Sequence, residues 1–250
     1  LSYETFGTTL KASKWQTPLF NYLQIHGLFI FILLTFLLHH TRNRLLLNMS
    51  RIKTLIKASS TPIKVQFNQF EGKFTSETFI TVLWAIVMIY MIISGYKTGA
   101  FITILLGLTT LAISEELRHY NKSSPYVLFI ISLAGLSFAI GLGVEFIRVG
   151  DDICRMNTLF KFYLSSWVLM GLSSTSALWY LYQVKFFQIR KWSSTGHANV
   201  VTKTTWMTIL SILFISSLIY PIWGTKARIA DRFDSNQVTL NGESFMTDVI

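Results

Sequence analysis

The segment Glu145-Phe-Ile-Arg-Val-Gly-Asp-Asp-Ile-Cys-Arg-Met-Asn-Thr-Leu-Phe-Lys-Phe-Tyr163 gathers acids, cations and helix-capping residues into one short stretch. Asn157 or Thr158 is a good N-cap for the apolar run that follows. The backbone N–H groups at such a helix start attract anions. Arg155 stands just before that start, and Lys161 lies about one turn inside it, between Phe160 and Phe162. Arg155, Asn157 and Lys161 together would make a phosphate cradle. Lys161 would cost about 2.5–3.5 kcal/mol at a bilayer centre and less near its edge. It must therefore snorkel outward or pair with Asp151, Asp152 or Glu145. The alternative is that these groups only pair with each other and anchor the helix end. Asp151-Asp152 could bind a divalent cation or act as a base, which makes them the candidate catalytic and metal residues; adjacent carboxylates are also common in loops. A second charged segment, Tyr220-Pro-Ile-Trp-Gly-Thr-Lys-Ala-Arg-Ile-Ala-Asp-Arg-Phe-Asp234, adds Arg232 to the candidate anion ligands and carries the same ambiguity.

Other polar positions are less specific. Gln24 and His26 interrupt an apolar run and are followed by Gly27. Intramembrane polar groups point to function by default, but an interhelical hydrogen bond beside a glycine that lets helices approach explains them as well. Glu115-Glu116 with Arg118 and His119 reads as a solvated helix end. Cys154, the single cysteine, excludes an intrachain disulfide and a cysteine-based metal cluster. The chain contains no P-loop, zinc spacing, nucleophile elbow or dinucleotide fingerprint.

These residues must be positioned by helices in a membrane. Of 250 residues, 51% are hydrophobic and 14% charged, against about 25% charged in soluble domains. The 20 Phe, 10 Tyr and 7 Trp suit helices edged with interfacial rings. The formal charge of +10 would suggest nucleic acid on a soluble chain, but here the cations cluster between apolar runs, as orienting loops do; no nucleic-acid partner is expected, and the lipid bilayer is.

A span takes about 20 apolar residues, and six stretches meet or approach that: 18–38, 79–94, 100–114, 126–144, 158–184 and 206–223. The expected architecture is all-α, a polytopic transmembrane bundle of about six helices forming a single membrane domain over 1–250. Gly95 to Gly99 reads as a hairpin turn. Residues 39–77 form a basic linker, in which Leu45, Met49, Ile52 and Ile56 share one helical face flanked by Arg44, Arg51, Lys53 and Lys57. That pattern suits a helix lying on an anionic membrane surface or a solvated loop. Lys and Arg number 13 on the side of this linker and 8 on the other, which predicts the linker in the cytoplasm, with both ends of the chain and the tail 224–250 extracytoplasmic. Gly150 to Lys161 then faces outward, where its cations need an anionic counterpart. The chain starts at Leu1 without a signal-type segment, so it is expected to be a fragment of a longer protein.

Asp151-Asp152-Ile-Cys-Arg-Met-Asn-Thr-Leu-Phe-Lys-Phe-Tyr163 resembles the hallmark of the YYY membrane proteins (DUF2298), in which an acid precedes an Arg-Met-Asn-Thr-Val-Phe-Lys-Phe-Tyr run. Thr17-Pro18, His26-Gly27-Leu28-Phe29, Tyr220-Pro221, Asp231-Arg232-Phe233 and Thr239-Leu240-Asn241-Gly242 resemble further signposts in the same order. The last usually reads Thr-Leu-Asp-Gly, so Asn241 departs from the pattern. The family is similar in layout to the GT-C membrane glycosyltransferases, which take polyprenyl-phosphate-linked sugars on the outer face. By that analogy the chain is expected to be a hexosyltransferase-type enzyme or part of one. Arg155 and Lys161 would neutralise the lipid phosphate, Asn157 would orient it, and Asp151 or Asp152 would hold a metal or sugar hydroxyls. The catalytic acid of such enzymes follows their first helix and would lie outside this sequence. The alternatives are a lipid or solute transporter, with polar groups meeting at the midplane, and a non-catalytic membrane scaffold.

Overall fold

A computed structural model describes residues 10–59, 76–118, 124–150, 155–184 and 196–230. It falls into two compact units, residues 1–188 and 189–250. The first holds β1 (Leu10–Ala12), α1 (Leu19–Ser59), α2 (Ser76–Ile93), α3 (Lys97–Arg118), α4 (Pro125–Phe146), β2 (Ile147–Val149) and α5 (Met156–Gln183). The second holds α6 (Gly196–Ile219), a π-helical turn (Tyr220–Gly224) and α7 (Thr225–Ala230).

Four apolar helical segments are long enough to cross a bilayer: Leu19–Arg42, Lys97–Arg118, Pro125–Phe146 and Lys203–Ala230. Leu83–Ile93 is a shorter apolar stretch. The 28 residues of α5 have the length of a span at about 1.5 Å per residue, but serine and threonine at 165, 166 and 173–176 dilute its apolar character. The third expected stretch, 100–114, is lengthened by its flanks into α3. The first is lengthened far more: α1 runs for 41 residues without a break, so the expected surface helix is a continuation of the first span. The side chains of Leu45, Met49, Ile52 and Ile56 lie outside the described residues.

Helix ends follow local chemistry. Gly95 has φ +84°, and with it Tyr96 N–H donates to Met91 O and Gly95 N–H to Ile92 O. This is the paired-bond C-terminal motif that a left-handed glycine permits, and it turns α2 straight into α3. Pro125 opens α4 in its first turn, where its missing N–H costs nothing. In the second unit Pro221 cannot donate, and the helix widens into the π turn around it. The Tyr220 ring lies over Gly224, where a Cβ would come within 3.2 Å of it.

In the first unit α4 packs between α3 and α5, α1 packs on α3 and α5, and α2 lies against α3. Leu33, Phe36, Ile102, Ile130, Phe138 and Met170 fill the interior. Small residues line the close contacts, as membrane helices require: Ser166 Oγ donates to Ser137 O at 2.9 Å across α5 and α4. Apolar side chains such as Ile86, Ile93, Leu136 and Leu172 point outward, which is stable where the surroundings are lipid.

Candidate functional site

Local sequence brings the ends of α4 and α5 and the approach to α1 to one place. Thr17 precedes Pro18, which confines it to extended backbone and starts α1 just beyond it. The chain before Thr17 forms β1, antiparallel to β2, with Leu10 opposite Val149, Lys11 opposite Arg148 and Ala12 opposite Ile147. Ser13 N–H extends the pairing to Phe146 O at 2.7 Å. Val149 N–H donates to Thr158 Oγ1 at 3.0 Å, holding β2 on the first turn of α5. Thr158 therefore serves as an acceptor for the strand. The N-cap position of α5 belongs to Arg155, two residues before Asn157 and three before Thr158, and its φ is +71°.

At the centre is Glu145, 1% exposed. Its Oε2 accepts from Thr17 N–H at 3.0 Å, and its Oε1 accepts from Thr17 Oγ1 at 2.6 Å and Tyr163 Oη at 2.8 Å. Arg155 Nη1 lies 3.5 Å from the same Oε1. That guanidinium also donates from Nη1 to Trp15 O at 2.8 Å and Val144 O at 3.0 Å, and from Nη2 to Thr17 Oγ1 at 2.7 Å. Thr98 Oγ1 on α3 donates to Thr17 O at 2.6 Å. The result is a buried ion pair with most of its hydrogen-bonding capacity used, the condition under which such a pair is tolerated away from water. It clasps α3, α4, α5 and the entry to α1.

This geometry corrects one expectation, the Arg155 phosphate contact, in favour of the alternative that these groups pair with each other and anchor the helix end. Arg155 does not face outward toward an anion; its side chain is 3% exposed and neutralised by Glu145. Glu145 accordingly pairs with Arg155 and not with Lys161. Lys161 is exposed on the outer face of α5, between the exposed rings of Phe160 and Phe162. Five residues into the helix, it sits about 7–8 Å along the axis, a depth from which the ammonium reaches a headgroup layer. Asn157 is exposed in the first turn. Asp151, Asp152, Cys154 and Arg232 lie outside the described residues. Among the described residues no cluster of His, Cys, Asp or Glu could hold a metal ion.

His26, expected as either functional or packing, lies against Tyr22 and Tyr163, with ring centroids 4.7 and 5.6 Å apart. Through Tyr163 it abuts the Glu145 cluster, about 10 Å into α1 from its start. Sequence reasoning passed over Thr17, Thr98 and Tyr163 as site residues. Thr17-Pro18 and Tyr163 stood out only as parts of family signposts, and Thr98 carries no local signal.

Long apolar helices, lipid-suited outer faces and a buried, hydrogen-bonded ion pair at one end of the bundle define a multi-pass helical membrane protein. The chain belongs to the family of uncharacterized membrane proteins DUF2298, whose family model matches residues 1–170. No curated protein and no solved structure matches it.

Proposed function

We propose that the chain is a GT-C-like membrane glycosyltransferase, or part of one, that takes a polyprenyl-phosphate-linked sugar at the end of the bundle where α5 begins. The observation that carries this reading is Lys161: an exposed cation among exposed aromatics, on the first turns of a helix whose start is held by the Glu145–Arg155 clasp. A lipid phosphate meets there an ammonium group near the positive end of a helix, while its isoprenoid tail meets the exposed rings of Phe160 and Phe162. Neutralising the phosphate as it leaves is an electrostatic route to rate. Lys161 and Asn157 are the proposed phosphate contacts. Arg155 takes a positioning role. Asp151 or Asp152 is the proposed holder of a divalent cation or of sugar hydroxyls. In this reading the α5 start faces the cell exterior, in the sense given by the basic linkers.

The test is turnover of a polyprenyl-phosphate hexose by the full-length protein in lipid. Lys161→Ala is expected to lose most of the activity and Lys161→Arg to retain part of it. Undiminished turnover in Lys161→Ala removes the assignment. The transporter reading calls for polar groups converging at the midplane. His26 does adjoin the Glu145 cluster, but that cluster lies toward one helix end and Lys161 faces away from it, which favours the interfacial reading.

A further inference from the structure

The sequence suggests a solvated helix end at Glu115-Glu116, yet Glu116 is only 8% exposed. It lies about 27 Å along α3 from Thr98, the α3 residue at the Glu145 clasp. Its Oε1 stands 3.4 Å from His40 Nε2 on α1, in ion-pair range but without hydrogen-bond alignment. Among the described residues His40 is its ion-pair partner. The His40 and Glu116 side chains are 14% and 10% exposed, so neither is sealed from water. Phe36 stacks on the imidazole, with ring centroids 6.1 Å apart and planes at 15°. Tyr180 of α5 meets Phe36 edge-on at 5.4 Å. Three helices thus converge on one acid and one imidazole.

A carboxylate withdrawn from water needs a counter-charge or a proton. His40 supplies a counter-charge only when its imidazole is protonated, and histidine is the side chain that changes charge near neutral pH. A proton taken from water by the free imidazole nitrogen changes the pair from negative to neutral overall. The other titratable and charged groups nearby are few. Glu115 on α3 acts on His40 with the same sign as Glu116. Tyr180 on α5 lies within electrostatic reach of Glu116. On α1 itself stand His39 and, beside it, Arg42, while Arg118 ends α3.

We infer that His40 and Glu116 form a proton-operated latch, in which a proton bound by the pair turns a neutral imidazole beside a carboxylate into a buried ion pair that ties α1 to α3. The latch lies at the end of the bundle opposite the Glu145–Arg155 clasp, whose guanidinium stays charged at every pH. One end of the bundle is therefore fastened permanently and the other on condition. Beyond His40 the same helix continues to Ser59, so the proton sets how firmly the root of the basic stretch of α1 is held. The latch does not depend on any glycosyltransferase activity.

The test is a double-mutant cycle on the full chain with His40→Gln and Glu116→Gln, run at about pH 8 and about pH 5, on either side of the ordinary histidine range. The readout is unfolding from mixed micelles by SDS, followed by helical circular dichroism. The titrations of His39 and His119 are common to all four proteins and cancel in the cycle. At about pH 8 the two substitutions are expected to be additive to within about twofold in the folding equilibrium. At about pH 5 the double variant is expected to lose about tenfold less than the product of the singles. A coupling equal at the two pH values, larger at the higher one, or absent from both overturns the inference. Where His40→Gln does not refold, His40→Asn closes the cycle with the same expected outcomes.

Discussion

Replacing Glu145 with glutamine keeps the shape of the side chain and removes its charge. Arg155 then stays buried, its side chain 3% exposed, opposite a neutral amide. Removing one partner of a buried pair costs about 3–5 kcal/mol. Arg155 retains the carbonyls of Trp15 and Val144, so the loss falls toward the lower end, about 3 kcal/mol. The amide aggravates it: Glu145 accepts on both oxygens, and glutamine must turn an NH2 group toward one of those donors. A loss of about 3 kcal/mol lowers the folding equilibrium roughly a hundredfold. The assay is unfolding of the full chain from mixed micelles by SDS, followed by helical circular dichroism. Combining Glu145→Gln with Arg155→Met removes both charges, and the double variant is expected to lose less than the sum of the singles, with a coupling of about 2 kcal/mol. A single variant within about 0.5 kcal/mol of the parent, or strictly additive singles, refutes the clasp.

Three further outcomes follow from the same geometry. Arg155→Gly and Arg155→Ala both lose the ion pair, but only glycine tolerates the left-handed backbone there, so the glycine variant should unfold at higher SDS, ahead by about 1–2 kcal/mol; coincident midpoints would contradict the φ of +71°. At Gly95 a Cβ meets nothing within 4 Å, so Gly95→Ala should cost only the backbone term, about 1–2 kcal/mol, and Gly95→Asn less, read in the same titration. Lys161→Ala should leave stability within about 0.5 kcal/mol while polyprenyl-phosphate hexose turnover falls, and a large stability loss would assign Lys161 to packing.

How much of the site was legible differs by residue. Lys161 and Asn157 stood out because charge and polarity next to an apolar run are visible one-dimensionally. Arg155 was visible for the same reason, but its direction was not. Whether a guanidinium faces outward or inward depends on a carboxylate ten residues earlier and on carbonyls at Trp15 and Val144. Thr98 has no local signal, because its role is a bond to Thr17 O contributed by a distant segment. The strands β1 and β2, three residues each, are too short for an alternating pattern and exist because their backbones meet.

Composition alone determined the class of protein, since apolar runs of span length have no stable home but a bilayer. It determined the hairpin as well, through the turn at Gly95, because a left-handed glycine acts locally. The segment Gly150 to Lys161 was marked by its own residue types as the place where charge gathers. Only the tertiary structure divided that charge, sending Arg155 inward to Glu145 and leaving Lys161 outside. The physical reason is burial: a charge withdrawn from water must find its partner in space, and the partner that Arg155 finds sits on another helix.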